Sequence, residues 1–243
     1  MHHYQLGSTK NPALVILHGW GLEGSKYRKL AEILSQDFQV IVPDLPGFGE
    51  AEEPARALAL SDYARKVKAF LKEKNIHEAH FVGHSFGGRI LMKMSTMSPK
   101  LVKSLVLTGA PGVEKFDFKR STKRCIYWVF AKCLKIFGFL PPLKKIKKRF
   151  YSKRDFGKLE GVMKQTFLKV IGERLDKEAK KIQQPTLLLW GRRDQMAPAR
   201  DAQKMLKIIP HSYLKIFTRV GHKLPYEKPY EFAREVLGFL DKN

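Results

Sequence analysis

Short apolar runs recur along the chain, separated by stretches of helical period. Ala13-Leu14-Val15-Ile16-Leu17 is a five-residue run, with the length and uniform apolarity of a strand covered on both faces. It ends in His18-Gly19-Trp20-Gly21-Leu22-Glu23-Gly24. Ser25 is then placed to cap a helix carrying Tyr27, Leu30, Ala31, Ile33 and Leu34 at helical spacing. Val40-Ile41-Val42 predicts the next strand, closed by Pro43-Asp44-Leu45-Pro46-Gly47-Phe48-Gly49, and Ser61 is placed to cap a helix reaching Lys74. A strand ending Ala79-His80-Phe81-Val82, a helix to Met97 and a strand Ser104-Leu105-Val106-Leu107-Thr108 follow. Strands alternating with helices predict an α/β fold, a mostly parallel sheet flanked by helices on both faces.

After Pro111-Gly112 the rhythm breaks. No strand-like run occurs from Val113 to Ile182, and the segment reads as three or four helices. The alternation resumes at Thr186-Leu187-Leu188-Leu189-Trp190, continues with Tyr213-Leu214-Lys215-Ile216-Phe217, and ends in a helix over Pro229 to Leu240. The pattern therefore predicts a core of residues 1–112 and 183–243, interrupted by a helical insertion, 113–182. An insertion between two sheet strands lies over the sheet edge where ligands bind in such folds.

Composition changes this picture in one respect. The 243 residues, 44% of them hydrophobic, suffice for one large core. Against 23 acidic residues stand 46 basic ones, a net charge of +23. The excess is concentrated in the insertion: residues 115–154 hold 14 basic side chains and one acid, Asp117. Lys119 to Lys135 interleaves basic residues with Ile126, Tyr127, Trp128, Val129, Phe130 and Leu134, and Lys144-Lys145-Ile146-Lys147-Lys148-Arg149-Phe150 continues the theme. Two readings stand side by side: a lid with an apolar underside and solvated lysines, or a basic surface that docks an anionic membrane or an acidic carrier protein. Nucleic acid is the weakest partner, because no nucleic-acid-binding motif accompanies the charge.

The start, Met1-His2-His3-Tyr4-Gln5, has no apolar run of a secretory signal, and no stretch approaches the roughly 20 apolar residues of a membrane span. Cys125 and Cys133 are the only cysteines. On one helix they would stand about 12 Å apart at ~1.5 Å per residue, beyond the roughly 7 Å a disulfide tolerates. Free thiols fit a reducing compartment, so a cytoplasmic protein is expected, peripheral at a membrane if the basic segment docks there.

The candidate chemistry centres on Gly83-His84-Ser85-Phe86-Gly87, with Gly88 behind it, at a strand-to-helix junction. A Gly-x-Ser-x-Gly there is a nucleophile elbow, a turn so tight that glycine is needed on either side of the serine. A serine hydroxyl needs a base, and the base an orienting carboxylate. Loops after later parallel strands open on the same edge. They offer Asp194 after Trp190-Gly191-Arg192-Arg193 and His222 after Arg219-Val220-Gly221. The chain order Ser85, Asp194, His222 is the order this elbow type uses. The oxyanion formed on attack needs donors, for which the backbone amides of Phe86 and Trp20 are placed. His18 reads as a brace for the Trp20 loop, and the six remaining histidines as surface or satisfied core residues.

Gly19-Trp20-Gly21-Leu22-Glu23-Gly24 is also a Gly-x-Gly-x-x-Gly between a strand and a helix, with Asp44 placed 20 residues beyond it. That is the pattern of a dinucleotide site. Against it, Glu23 would set a carboxylate beside the pyrophosphate, and Ser85 and His222 would have no part in it.

With these residues placed, the chain resembles the α/β-hydrolase superfamily over nearly its whole length outside the insertion. The resemblance rests on His18-Gly19-Trp20-Gly21, Asp44-Leu45-Pro46-Gly47-Phe48-Gly49, Gly83-His84-Ser85-Phe86-Gly87-Gly88, Gly191-Arg192-Arg193-Asp194 and Gly221-His222. It implies that Asp44 is a structural acid in its loop and that residues 113–182 form a helical cap. Related dehalogenases and epoxide hydrolases place aspartate at the nucleophile position, so Ser85 directs the reading to esterases, lactonases, lipases, carbon–carbon bond hydrolases and cofactor-free haloperoxidase-like members. Two departures are visible. Glu50-Ala51 follows Gly49 where the family usually continues into serine, and only about a dozen residues precede the first family strand. The antiparallel strands that usually precede it are therefore expected to be missing or reduced to Tyr4-Gln5-Leu6, in a mostly parallel sheet of about six strands. The implied activity is hydrolysis of a small-molecule ester or lactone through an acyl-enzyme, with no metal or organic cofactor. Acyl thioester hydrolysis, carbon–carbon bond hydrolysis and a non-catalytic receptor or scaffold are the alternatives.

Overall fold

A computed structural model describes residues 1–113 and 160–242. The helices expected between 114 and 159, with Cys125, Cys133 and most of the basic segment, lie outside the described residues.

Every apolar run of the core forms a strand. β1 (His3–Leu6), β2 (Ala13–Leu17), β3 (Gln39–Pro43), β4 (Ala79–His84), β5 (Val102–Thr108), β6 (Thr186–Gly191) and β7 (Ser212–Phe217) make one sheet in the order β1-β3-β2-β4-β5-β6-β7. All neighbours run parallel except β1, which pairs antiparallel with β3, His3 opposite Pro43 and Leu6 opposite Val40. That makes seven strands rather than about six. The extra one is His-Tyr-Gln-Leu at a sheet edge, half-buried along its length, where no apolar run announces a strand.

The helices of the described residues are α1 (Arg28–Leu34), α2 (Leu60–Glu73), α3 (Phe86–Met97), α4 (Gly161–Gly172), α5 (Asp176–Ala179), α6 (Ala199–Leu206), α7 (Leu224–Glu227) and α8 (Pro229–Leu240). Alternate strand residues, among them Leu14, Ile16, Val40, Val42, Val82, Val106 and Leu189, share one apolar cluster with Tyr27, Leu30 and Leu34 beside them and Phe232, Val236 and Leu240 of α8. The residues between them, Val15, Leu17, Ile41, Phe81, Leu105 and Leu107, are fully buried as well. Period-2 alternation sends these to the opposite face, where α3 packs.

Two caps differ from the sequence reading. A turn of 3-10 helix, Gly24–Tyr27, precedes α1, and the Ser25 hydroxyl bonds the Glu23 carboxylate instead of a helix amide. Helix α2 begins two residues early, at Leu60 behind extended Ala59, and the Asp62 carboxylate accepts from the Ala59 amide at 2.8 Å. Ser61 therefore lies inside the first turn. An acid at the third helical position can satisfy that amide as well as a serine cap satisfies its own, and the pattern alone does not rank the two.

On either side of residues 114–159 the chain is held to α3. The buried Arg89 guanidinium donates to the carbonyls of Pro111 (3.0 Å), Val170 (2.6 Å) and Glu173 (2.6 Å). Lys93 one turn later pairs with Glu173 (2.7 Å) and Glu178 (2.6 Å). Among the described residues no helix is long and apolar enough to cross a membrane.

His80 sits inside the sheet, its Nδ1 2.8 Å from the Ser104 hydroxyl, and burial, with a smaller push from Lys103, lowers its pKa to about 4. An unfolded histidine protonates near 6.5, so between these values the unfolded chain binds the extra proton. Stability should therefore fall as pH drops below 6.5, by up to about 1.4 kcal/mol per pH unit from this group. Urea unfolding at pH 6.5, 5.5 and 4.5 should show that slope reduced in His80→Asn; an identical slope would contradict the assignment.

Candidate active site

The elbow forms where β4 turns into α3. Ser85 has φ 52° and ψ −108°, a backbone conformation rare for any residue but glycine. It is held there by hydrogen bonds from the Ser85 amide to the Thr108 carbonyl (2.8 Å) and from the Gly87 amide to the His18 carbonyl (3.0 Å). A Cβ on Gly87 would overlap the Leu17 carbonyl, and one on Gly83 would stand 2.6 Å from the Gly88 Cα. Only glycine lets α3 start this close to β2 and β4. Ser85 is partly exposed, whereas His84 and Phe86 on either side of it are buried.

The carboxylate and the imidazole meet at the ends of β6 and β7. Asp194 is buried, and its Oδ1 accepts from the amides of Met196 (2.9 Å) and Ala197 (2.7 Å). Those bonds leave Oδ2 turned to His222, whose Nδ1 donates to it at 2.7 Å. The two loops are sewn together by the Arg192 amide on Phe217 O (2.8 Å) and the Arg193 amide on Val220 O (3.0 Å). Trp190 anchors the turn from below, its indole donating to Ala197 O at 2.7 Å. A proton on His222 Nδ1 leaves Nε2 as the basic nitrogen, the tautomer that general-base chemistry needs.

The third wall was not foreseen from the sequence. Gly109, just past β5, has φ +57°, and a Cβ there would lie 2.9 Å from both Nδ1 and Cε1 of His222 and 3.3 Å from Asp194 Oδ2. The signal was present, because Gly109 and Gly112 flank Ala110-Pro111, but nothing in the pattern says that an imidazole packs there.

The Trp20 loop comes to the elbow from β2. Among the described residues the amides of Trp20 and Phe86 meet no protein acceptor, and Phe86 opens α3, where first-turn amides have no intrahelical partner. The Trp20 ring packs against Phe48 (4.8 Å between centroids), Phe86 (5.1 Å) and Phe167 of α4 (5.0 Å). His18 braces the loop: Nδ1 donates to Gly19 O (2.8 Å) and Nε2 accepts the Leu45 amide (2.9 Å). Burial lowers its pKa.

The dinucleotide pattern is occupied by its own members. The Gly24 amide, which would have to face a pyrophosphate, donates to Asp44 Oδ1 at 2.7 Å. Asp44 Oδ2 accepts from His2 Nδ1 (2.7 Å) and the Glu50 amide (3.1 Å). Burial opposes the Asp44 charge, but these donors outweigh it and hold the pKa below the ordinary carboxylate range. A surface depression of about 380 Å³ lies beside this loop, lined by Gly21, Leu22, Glu23, Lys26, Gly47, Phe48 and Gly49, and includes none of Ser85, Asp194 or His222. Among the described residues no group of three or more His, Cys, Asp or Glu side chains could hold a metal ion.

Comparison with known proteins decides the family. A family model described as the alpha/beta hydrolase fold matches residues 12–124, which run from β2 through the elbow and β5. The chain belongs to the α/β-hydrolase superfamily. This hydrolase is 28% identical over 256 residues to the 2-hydroxy-6-oxo-6-(2'-aminophenyl)hexa-2,4-dienoic acid hydrolase of Metapseudomonas resinovorans, covering 98% of this chain and 87% of that one. It is 26% identical over 249 residues to a dihydrolipoyllysine-residue acetyltransferase component of the acetoin cleaving system of Pseudomonas putida. That match covers 99% of this chain and 66% of the relative, so the chain spans just under two thirds of that protein. Among solved structures it matches a membrane phospholipase A, described as a bacterial virulence factor, with a TM-score of 0.77 and 26% identity over 99% of this chain and 82% of that one. It is a serine hydrolase of the α/β fold.

Gly109→Ala tests the packing. A left-handed alanine costs about 1–2 kcal/mol, and its methyl would press on the imidazole. The variant should melt lower and lose turnover by more than its lost stability explains, as read from thermal unfolding and kcat; wild-type turnover would show that Gly109 does not set the position of His222.

Proposed function

We propose that this hydrolase cleaves a carboxylic ester, a lactone included, through an acyl-enzyme on Ser85. The observation that carries the reading is the 2.7 Å bond from His222 Nδ1 to buried Asp194, at the same edge of the sheet as the strained serine. His222 Nε2 takes the Ser85 proton as Oγ attacks the carbonyl carbon. The tetrahedral oxyanion is met by the amides of Trp20 and Phe86. Collapse expels the alcohol, which leaves with the proton from His222. A water activated by the same nitrogen then releases the acid and restores Ser85. Asp194 holds the tautomer and stabilises the imidazolium without taking its proton. The aromatic rings beside Trp20 would offer an apolar wall to the acyl group.

The kinship with a dienoic acid hydrolase favours a second reading, hydrolysis of a carbon–carbon bond next to a ketone. The same serine, base and oxyanion donors serve both reactions, so the site geometry does not separate them. Docking of the basic segment within 114–159 to an anionic membrane or an acidic carrier protein is proposed alongside either reading.

Turnover of short and long p-nitrophenyl esters, a lactone, an acyl thioester and a 2-hydroxy-6-oxodienoate separates the classes. Ester or lactone turnover is expected, falling on the order of 10⁴- to 10⁶-fold in Ser85→Ala with the fold intact. Dienoate cleavage without ester turnover would replace the ester reading by the carbon–carbon one. No turnover of any of them would favour a non-catalytic receptor.

A further inference from the structure

The proposed nucleophile and base do not stand on neighbouring strands. β5 and β6 lie between β4 and β7, so the strands that carry them are about 14 Å apart at 4.7–4.9 Å per strand. Their side chains can meet only if the loop after β7 folds back over the sheet edge and is held there. Asp194 holds the ring of His222, but a bond to the ring leaves the main chain beneath it to be fixed by something else.

The residue before the nucleophile does this. His84 is buried at the end of β4, and its Nε2 donates to the main-chain carbonyl of His222 at 2.8 Å. The two imidazoles lie 4.8 Å apart. On its other side, His84 Nδ1 is 2.6 Å from the Tyr27 hydroxyl, which accepts from the Gly19 amide at 3.2 Å. The His222 carbonyl can only accept, so the ring proton is on Nε2. Nδ1 of the neutral ring then accepts, and the Tyr27 phenol donates to it while its oxygen accepts from the Gly19 amide. Gly19 itself belongs to the loop that presents the Trp20 amide. One ring thus ties the oxyanion loop, the nucleophile strand and the base loop together.

We infer that His84 is a positioning residue, whose Nε2–H bond to the His222 carbonyl sets the distance from the base to Ser85. The inference rests on the reading of Ser85 and His222 as nucleophile and base. Burial, then the His222 imidazole, lowers the His84 pKa to about 3, so the ring stays neutral wherever the base works.

Two amide variants separate this role from mere filling of the core. The glutamine side-chain nitrogen lies as many bonds from Cα as histidine Nε2, so His84→Gln can still donate to the His222 carbonyl. Asparagine is one bond shorter, so His84→Asn can meet Tyr27 but not His222. His84→Asn should lower kcat on the order of 10²-fold with KM little changed, the cost of a misplacement of about 1 Å. His84→Gln should recover most of the lost kcat. Equal kcat in the two variants, or the reverse order, overturns the inference. A measurement on the wild-type protein stands whether or not the variants fold: the ¹⁵N shifts of His84 should report a neutral ring protonated at Nε2 from pH 5 to 8. A ring protonated at Nδ1, or a cation, overturns it. Labelling of wild-type Ser85 by a fluorophosphonate keeps the two levels distinct. Without labelling, the reading of Ser85 as nucleophile fails and the inference with it; with labelling and wild-type kcat in His84→Asn, the inference alone fails.

Discussion

The site depends on how closely backbone approaches backbone at the elbow. Helix α3 begins against the Leu17 carbonyl of β2 with no room for a side chain at Gly87, and Gly83 and Gly88 meet with none between them. That approach forces Ser85 to φ 52°, at a cost on the order of 1–3 kcal/mol. The bonds from Ser85 to Thr108 O and from Gly87 to His18 O hold the turn in place. The same contact sets the Phe86 amide beside the loop that carries the Trp20 amide. A larger residue at position 87 would move the proposed nucleophile Ser85 and the Phe86 amide together, because one backbone junction places both.

From that junction the rest follows by sheet order. Parallel strands send every βα loop to one edge, so Ser85, Gly109, Asp194 and His222 come from four consecutive strands, β4 to β7. Each adds one constraint. Asp194, fixed by two amides, offers His222 one oxygen. Gly109 gives the imidazole room and closes it in. The His84 bond holds the backbone of His222. An exposed Asp–His pair would contribute little in water, but Asp194 is buried and its charge is matched by three donors.

Much of this was legible in the sequence, for reasons that particular residues make clear. Strands buried on both faces leave unbroken apolar runs, so β2, β4, β5 and β6 were readable within a residue or two. The final helix, Pro229–Leu240, was readable at both ends. The strand-end positions of Ser85, Asp194 and His222 were legible because a parallel sheet opens all its βα loops on one edge, and the structure joins Asp194 to His222 there. His3–Leu6 was only half-legible, since an edge strand carries no such run. The starts of α1 and α2 were misread at Ser25 and Ser61, because several side chains can satisfy the same free amides. The tie from Tyr27 through His84 to the His222 carbonyl spans 57 and 138 residues of sequence. No local pattern encodes a bond between a side chain and a distant backbone carbonyl, and His84 alone reads as an ordinary core histidine.

The central claim is that Ser85 becomes acylated during turnover. Rapid mixing with an excess of a p-nitrophenyl ester, acid quenching within the first turnover and mass measurement of the peptide containing Gly83-His84-Ser85 tests it directly. A burst of p-nitrophenol matched by one acyl group on Ser85, which disappears as substrate is exhausted, is expected. Continued turnover with Ser85 unmodified at every time point, or with the acyl group on another residue, would contradict it.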